Sequence, residues 1–161
     1  ALDPYLELLT LLADPIHDDP ISLTNALMNA AGYAAYLERP DLALRLVAAA
    51  KPMLARLPPS LEEQRAVRLA LAEGVALNAR GRSREAQSVL AAALARWDPT
   101  GVRIDDDTID LLWNLVTVSE AVAPRQARAY AARARKAIVA ARGAGAPDLP
   151  ELNAWLRKHP R

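Results

Sequence analysis

Three alanine-rich segments of similar pattern recur along the sequence: ALRLVAAAKPML (residues 43–54), AQSVLAAALARW (86–97) and ARAYAARARKAI (127–138). Each segment starts with alanine, has a second alanine seven positions later, and ends eleven positions after its start on a large apolar residue. Their starting points are 43 and 41 residues apart, and another amphipathic segment precedes each of them. A helix, a short turn and a second helix at a regular period are typical of helical-repeat proteins.

The amino-acid composition supports an all-α fold. The 161 residues include 35 Ala and no Phe, and 52% of them are hydrophobic. Alanine has the highest helix propensity, whereas strands favour β-branched and aromatic residues. A chain of this length buries enough surface for one domain over residues 1–161 without disulfide bonds, and it contains no Cys. No apolar run reaches the ~20 residues that span a bilayer, so we expect a cytoplasmic protein without membrane contact.

Proline, aspartate and glycine residues mark the predicted helix ends. Asp19-Pro20 is expected to begin one helix, Ser60 to cap another through a capping box, and Gly81 to end it. A kink or break is expected at Pro52, because proline removes a backbone donor. The predicted elements are three helical hairpins over about 22–57, 60–97 and 106–142, with short flanking helices over about 4–13 and 150–158.

The second hairpin carries a pattern of small and large residues that points to a known family. The residues that resemble the spacing of a tetratricopeptide repeat are Ala70, Gly74, Leu77, Gly81, Ala86, Leu90 and Ala93, followed by Asp98-Pro99. The resemblance covers about residues 22–142 and implies a right-handed α-α superhelix, which is a solenoid of stacked hairpins. Because the period exceeds the 34 residues of that family, the chain looks like the long-hairpin repeats of bacterial transcriptional and signalling regulators. An alanine-rich bundle without true repeats is the alternative.

The resemblance implies a non-catalytic module that binds a protein or peptide in a groove lined by the first helix of each hairpin. The predicted groove residues are Asn25, Met28, Asn29, Tyr36, Arg68, Leu71, Asn78, Leu112, Trp113 and Ser119. A start at Ala1 rather than Met suggests that the domain belongs to a longer protein, and a homodimer through an end hairpin is a further expectation. The alternative is a small-molecule sensor with its ligand near Trp113 or Tyr36.

The predicted helix over 124–142 has a basic face. Small and apolar residues share one side of this helix, and Arg125, Arg128, Arg135 and Arg142 cluster on the other. Such a face is able to contact nucleic acid or an acidic partner, which gives a second alternative function. The competing interpretation is a solvated outer face, offset by the acidic stretches of the same chain.

The sequence offers little for catalysis or metal binding. Its only histidines, His17 and His159, have no partner at metal-ligand spacing. The acidic run 105–107, with Asp110, lacks the alternating ligands of a calcium loop and is interpreted as the N-terminal cap of a helix. Glycine-rich phosphate loops are also lacking. We therefore predict a non-enzyme with no cofactor and no metal.

Overall fold

The structure, a computed structural model, describes residues 19–160, so the helix predicted over 4–13 lies outside the described residues. Within residues 19–160 the chain is helical and contains no strand, which confirms the all-α prediction. The helices of this part of the chain are α1 (Pro20–Tyr36), α2 (Pro40–Leu54), α3 (Pro59–Ala79), α4 (Ser83–Trp97), α5 (Asp106–Ser119), α6 (Pro124–Arg142) and α7 (Leu149–Lys158). α6 begins and ends at the residues expected from the sequence, and α4 ends at the expected position 97.

Successive helices pack against each other as three hairpins, α1–α2, α3–α4 and α5–α6. The first helices of these hairpins also touch in series, since α1 contacts α3 and α3 contacts α5. α7 packs against α6. Because α1, α3 and α5 are neighbours, side chains on their outer faces form a surface that draws on all three hairpins.

Two helix ends follow the local signals in the sequence. Asp19 caps α1, where its carboxylate accepts hydrogen bonds from the backbone N–H groups of Ile21 at 3.0 Å and Ser22 at 3.2 Å. Gly81, with a φ of +73°, follows the end of α3. The next N–H group, from Arg82, returns to the carbonyl of Leu77 at 2.9 Å, and a left-handed residue makes this closure possible.

The helix break that was one expectation at Pro52 and the cap expected at Ser60 are not found. α2 does not break at Pro52 but continues to Leu54. Pro52 removes the hydrogen bond that would reach the carbonyl of Ala48, and Ala48 is exposed, so water can hydrate the freed carbonyl. Ser60 does not cap α3, because the helix already begins at Pro59, whose fixed φ suits the first helical position.

α3 joins the two apolar clusters of the core. Leu69, Ala72 and Ala76 of this helix pack with α1 and α2, whereas Val67 and Leu77 pack with the helices that follow. At Gly74 the helix lies so close to α4 that an added Cβ would stand 2.6 Å from Cγ of Leu90. Small residues are therefore required where α3 crosses its neighbours.

The buried carboxylate of Asp98 stabilises the connection between α4 and α5. Its side chain is only 1% exposed, and it forms an ion pair with Arg133 of α6. Its two carboxylate oxygens also accept the backbone N–H groups of Val102 and Arg103, each at 3.1 Å. These contacts lower the pKa of Asp98 below its usual value, although burial alone would raise it.

Asp105 anchors the other end of the same connection. Its carboxylate caps α5 by accepting the backbone N–H of Thr108 at 2.9 Å, and it also accepts the indole N–H of Trp97 at 3.1 Å. Arg103 donates its Nε to the other carboxylate oxygen at 2.5 Å and stacks its guanidinium 3.6 Å from the Trp97 ring centroid. Burial opposes these bonds, but together they lower the pKa of Asp105.

Candidate interaction surface

α1 and α3 form an open cavity of about 560 Å³. Its lining residues are Met28, Asn29, Gly32, Tyr33, Tyr36 and Arg68. The small residues of α1, such as Ala31 and Ala34, face the core, so the larger side chains of the opposite side face outwards. Tyr33 is 64% and Tyr36 82% exposed. From Pro20 to Leu37 the chain carries no charged residue, and the wall contributed by α1 is therefore uncharged.

Arg68 links this cavity to α5. Its Nε atom lies 3.3 Å from Oδ1 of Asp107, near the N-terminus of α5. Asp107 is largely buried, whereas about half of the Arg68 side chain is exposed. The pair thus spans the contact between α3 and α5 and leaves part of the guanidinium facing the cavity of α1.

A second, smaller cavity of about 240 Å³ lies one helical turn further along α5. Its lining residues are Ile109, Asp110, Trp113, Ile138, Arg142, Asp148 and Glu151. Ile109 and Ile138 are buried and give it an apolar floor. Asp110 follows Asp107 by three residues, so the two side chains are neighbours on one face of α5. We use the name first-helix surface for the two cavities together with the Arg68–Asp107 pair between them.

The carboxylates around the second cavity outnumber the guanidinium groups. Arg142 pairs with Asp106 at 2.5 Å and with Asp148 at 2.6 Å, while Arg68 pairs with Asp107. Among the described residues, the side chains of Asp110 and Glu151 have no cationic partner. The carboxylates that line the cavity are those of Asp110, Asp148 and Glu151, while Asp106 and Asp107 lie in the first turn of α5. Three carboxylates against the one guanidinium group of Arg142 give the lining of this cavity an excess of negative charge.

The pKa of Asp110 is raised above its usual value of 3.8. Partial desolvation at the mouth of the cavity is the main cause, and the charges of Asp107 and Asp106 add to it. Arg142 and Arg68 act in the opposite direction without cancelling these effects. Asp110 is exposed at the edge of the cavity, so its ionised form is disfavoured only in part.

Comparisons with protein-family models, curated proteins and solved structures find no match for this chain. Among residues 19–160 no three His, Cys, Asp or Glu side chains are grouped so that they could hold a metal ion. No helix of the same range is both long and apolar enough to cross a membrane.

Five of the predicted groove residues line the two cavities. Met28, Asn29, Tyr36 and Arg68 come together in the first cavity, and Trp113 lies in the second. The sequence reasoning missed Tyr33, Asp110 and Glu151. Tyr33 stands one turn after Asn29, a spacing that could have identified it, but Glu151 reaches the surface only because α7 packs against α6.

Other predicted groove residues do not line these cavities. Leu112 and Ser119 are 0% exposed and are not available to a partner, so their assignment to the groove is wrong. They lie seven residues apart on the side of α5 that faces the interior, where Ser119 accepts a hydrogen bond from Nε2 of Gln87 at 3.0 Å. The remaining residues are half-buried outside the cavities: Asn25, Leu71 and Asn78.

The basic face of α6 is largely used within the chain. Arg128 donates to the backbone carbonyls of Leu156, at 3.0 Å, and His159. Arg135 donates from Nε to Oδ1 of Asn153 at 2.9 Å, and Arg142 holds the two carboxylates described above. Three of the four arginines of the predicted basic face thus make contacts within the chain, and binding through this face stays a prediction. They attach α7 and the start of α5 to α6, and Arg125 stays exposed.

His17 lies outside the described residues, whereas His159 makes contacts within the chain. Its Nδ1 lies 2.9 Å from the carbonyl of Trp155 and its Nε2 lies 3.1 Å from Oε1 of Glu120. Its ring stacks on Trp155 with the centroids 4.0 Å apart. These contacts hold the end of α7 in place.

Proposed function

We propose that this domain is a non-catalytic interaction module that binds a segment of another protein on the first-helix surface. The observation that carries the proposal is the exposure of Tyr33 and Tyr36 beside Arg68, which pairs with Asp107 near the cavity of Trp113. Tyrosine, tryptophan and arginine are the residue types most enriched among the side chains that dominate binding energy. α1 and α3 contribute to the first cavity and α5, α6 and α7 to the second, so the surface is long enough for several residues of a partner.

The arrangement of the hairpins supports a repeat architecture as part of this proposal. Contacts in series between α1, α3 and α5, and the close crossing at Gly74, are what stacked tetratricopeptide-like hairpins require. In that architecture the first helices line the inner face of a right-handed superhelix. A place in a larger cytoplasmic regulatory or signalling protein of a bacterium fits the same proposal, as does a homodimer through an end hairpin.

The absence of catalysis is also part of the proposal. The pKa values of Asp98 and Asp105 are shifted by hydrogen bonds that hold the connection between α4 and α5, which is a structural role. Asp110 is perturbed and lies in a cavity, but no Ser, Thr, Tyr, His or Lys lines that cavity with it. The other carboxylates of the lining are Asp148, which is paired with Arg142, and Glu151, and we assign these groups to binding rather than to proton transfer.

Selection from a phage-displayed library of random dodecapeptides on the immobilised protein tests this function. We expect sequence-specific enrichment that is lost in the variant Tyr33→Ala/Tyr36→Ala. The matched control is Val102→Ala/Ile104→Ala, because Val102 and Ile104 are also exposed, at 73% and 47%, but lie in the loop before α5. Absence of any enrichment, or equal loss in the control, would refute the proposed function.

A further inference from the structure

We infer that the partner segment is basic, and that one of its Lys or Arg side chains enters the cavity beside Trp113 and pairs with Asp110 and Glu151. The inference rests on the proposed function, because it assigns the chemistry of the segment that the first-helix surface binds. It differs from the alternative of an acidic partner on α6, where three of the four arginines of the predicted basic face make contacts within the chain.

The first argument is charge complementarity. Arg142 is already paired with Asp106 and Asp148, and Arg68 with Asp107. The charge that remains unpaired at the second cavity is therefore that of Asp110 and Glu151. A cationic side chain would neutralise it, whereas an acidic side chain would meet the three carboxylates of the lining. Repulsion of this kind excludes acidic partners as effectively as attraction selects basic ones.

The second argument is the shape and lining of the cavity. Its floor consists of Ile109 and Ile138, its wall includes the Trp113 ring, and carboxylates stand at its edge. Lysine and arginine have the matching form, since an apolar stem carries a charged head group. A cation close to an indole ring gains a further favourable interaction. A volume of about 240 Å³ is large enough for one such side chain.

The third argument is the state of Asp110 in the free protein. Partial desolvation and the neighbouring Asp107 and Asp106 raise its pKa, so the free protein keeps this carboxylate in an unfavourable environment. A bound ammonium or guanidinium group would favour the ionised form. A titratable side chain with a shifted pKa in a cleft is a candidate for a functional site.

The ligand is a peptide rather than a single small cation, because the surface continues beyond this cavity. Asp107 lies beside Asp110 on α5 and connects through Arg68 to the larger cavity of about 560 Å³. That cavity offers Met28, Tyr33 and Tyr36 to aliphatic or aromatic side chains. A segment with one basic residue and an apolar residue several positions away would use both cavities.

The experiment selects a peptide from the dodecapeptide library on the wild-type chain and compares its binding to the wild type and two variants. On the wild-type chain we expect Lys and Arg to be enriched and Asp and Glu to be depleted. A fluorescein-labelled peptide with the enriched sequence should bind about tenfold more weakly to Asp110→Asn/Glu151→Gln. The control Asp41→Asn/Glu85→Gln removes the same charge from α2 and α4, where both carboxylates form surface ion pairs, and should bind like the wild type.

The outcomes separate the two proposals. No enrichment of any sequence overturns the proposed function and this inference with it. Enrichment of peptides without basic residues, or equal weakening in the control, overturns the inference but leaves a peptide-binding module. Nα-acetyl-lysine amide is the test for a small-cation site. If it displaces the labelled peptide at the same concentration as the whole unlabelled peptide does, the cavity binds a small cation and the inference is overturned. Enrichment of basic peptides, together with weaker peptide binding in Asp110→Asn/Glu151→Gln but not in the control, supports the inference.

Discussion

The carboxylates before α5 and the carboxylate of Asp110 one turn into α5 have opposite environments. Asp98 and Asp105 accept bonds from backbone N–H groups, the Trp97 indole and two arginines, and their pKa values are lowered. Asp110 lies close to them in sequence but accepts no such bonds and has a raised pKa. The same residue type thus stabilises the fold at the loop and opposes it at the cavity.

This difference separates structural groups from groups available to a partner. A carboxylate whose hydrogen bonds are satisfied within the chain gains nothing from a ligand, and its removal damages the fold. A carboxylate that is partly desolvated and repelled by its neighbours is stabilised by an external cation. Three substitutions test this distinction, and their expected effects on the free energy of unfolding differ in size and in sign.

The largest effect is expected for Asp98→Asn. The substitution removes the charge that pairs with Arg133 and weakens the bonds to two backbone N–H groups inside the protein. We expect a loss of about 2–3 kcal/mol in the free energy of unfolding, measured by urea denaturation. Asp41→Asn, which breaks an exposed pair with Arg80, is the control and should change stability by less than about 1 kcal/mol. Equal effects of the two substitutions would contradict a structural role for Asp98.

A smaller loss is expected for Asp105→Ala. Asp105 caps α5 through the backbone N–H of Thr108, and it also accepts the indole N–H of Trp97. Loss of an N-cap side chain typically costs about 1–2 kcal/mol. Urea denaturation followed by the fluorescence of the tryptophans would measure it. A variant as stable as the wild type would show that the cap and the indole bond contribute little.

The smallest effect, with the opposite sign, is expected for Asp110→Asn. The substitution removes a charge that desolvation, Asp107 and Asp106 disfavour, so the variant should be more stable at neutral pH. Because the side chain reaches solvent, the gain should stay below about 1 kcal/mol. Thermal denaturation at neutral pH measures the difference. A destabilised variant would place Asp110 with Asp98 among the structural carboxylates.

The pH dependence of stability should differ for the same two residues. Asp110 has a raised pKa in the folded state, so its destabilising effect is full above that pKa and disappears as the pH falls to the usual value of 3.8. Asp98 has a lowered pKa, so its stabilising effect is present above 3.8 and is lost as the pH falls through the folded value. Urea denaturation at successively lower pH measures both effects. As the pH falls, the higher stability of Asp110→Asn relative to the wild type should disappear before the lower stability of Asp98→Asn does. The reverse order would contradict the assigned shifts.

The sequence predicted well those features that depend on neighbouring residues. The ends of α4 and α6 and the turn at Gly81 follow from proline, glycine and the apolar pattern within a few positions. Local signals failed where two of them competed. Pro59 begins α3 one residue before Ser60 could cap it.

Features that depend on distant partners could not be predicted from one sequence. Leu112 and Ser119 share a face of α5 that the helical period identifies, but only the packed neighbours show that this face is buried. In the sequence, Arg128 and Arg135 cannot be distinguished from free surface residues. Only the structure shows that α7 supplies their hydrogen-bond acceptors. Asp110 was interpreted as part of a helix cap, whereas Asp105 alone supplies the capping side chain.

The most direct test of the account is a carbon-13 NMR titration of the Asp110 side-chain carboxyl, with and without the basic peptide that the library selects. In the free protein we expect a pKa above the usual value of 3.8, and we expect the peptide to lower it. Asp98, whose partners lie within the chain, serves as the internal reference and should titrate alike in both samples. An Asp110 pKa that is not raised, or that the bound peptide leaves unchanged, would contradict the assignment of this carboxylate to a partner.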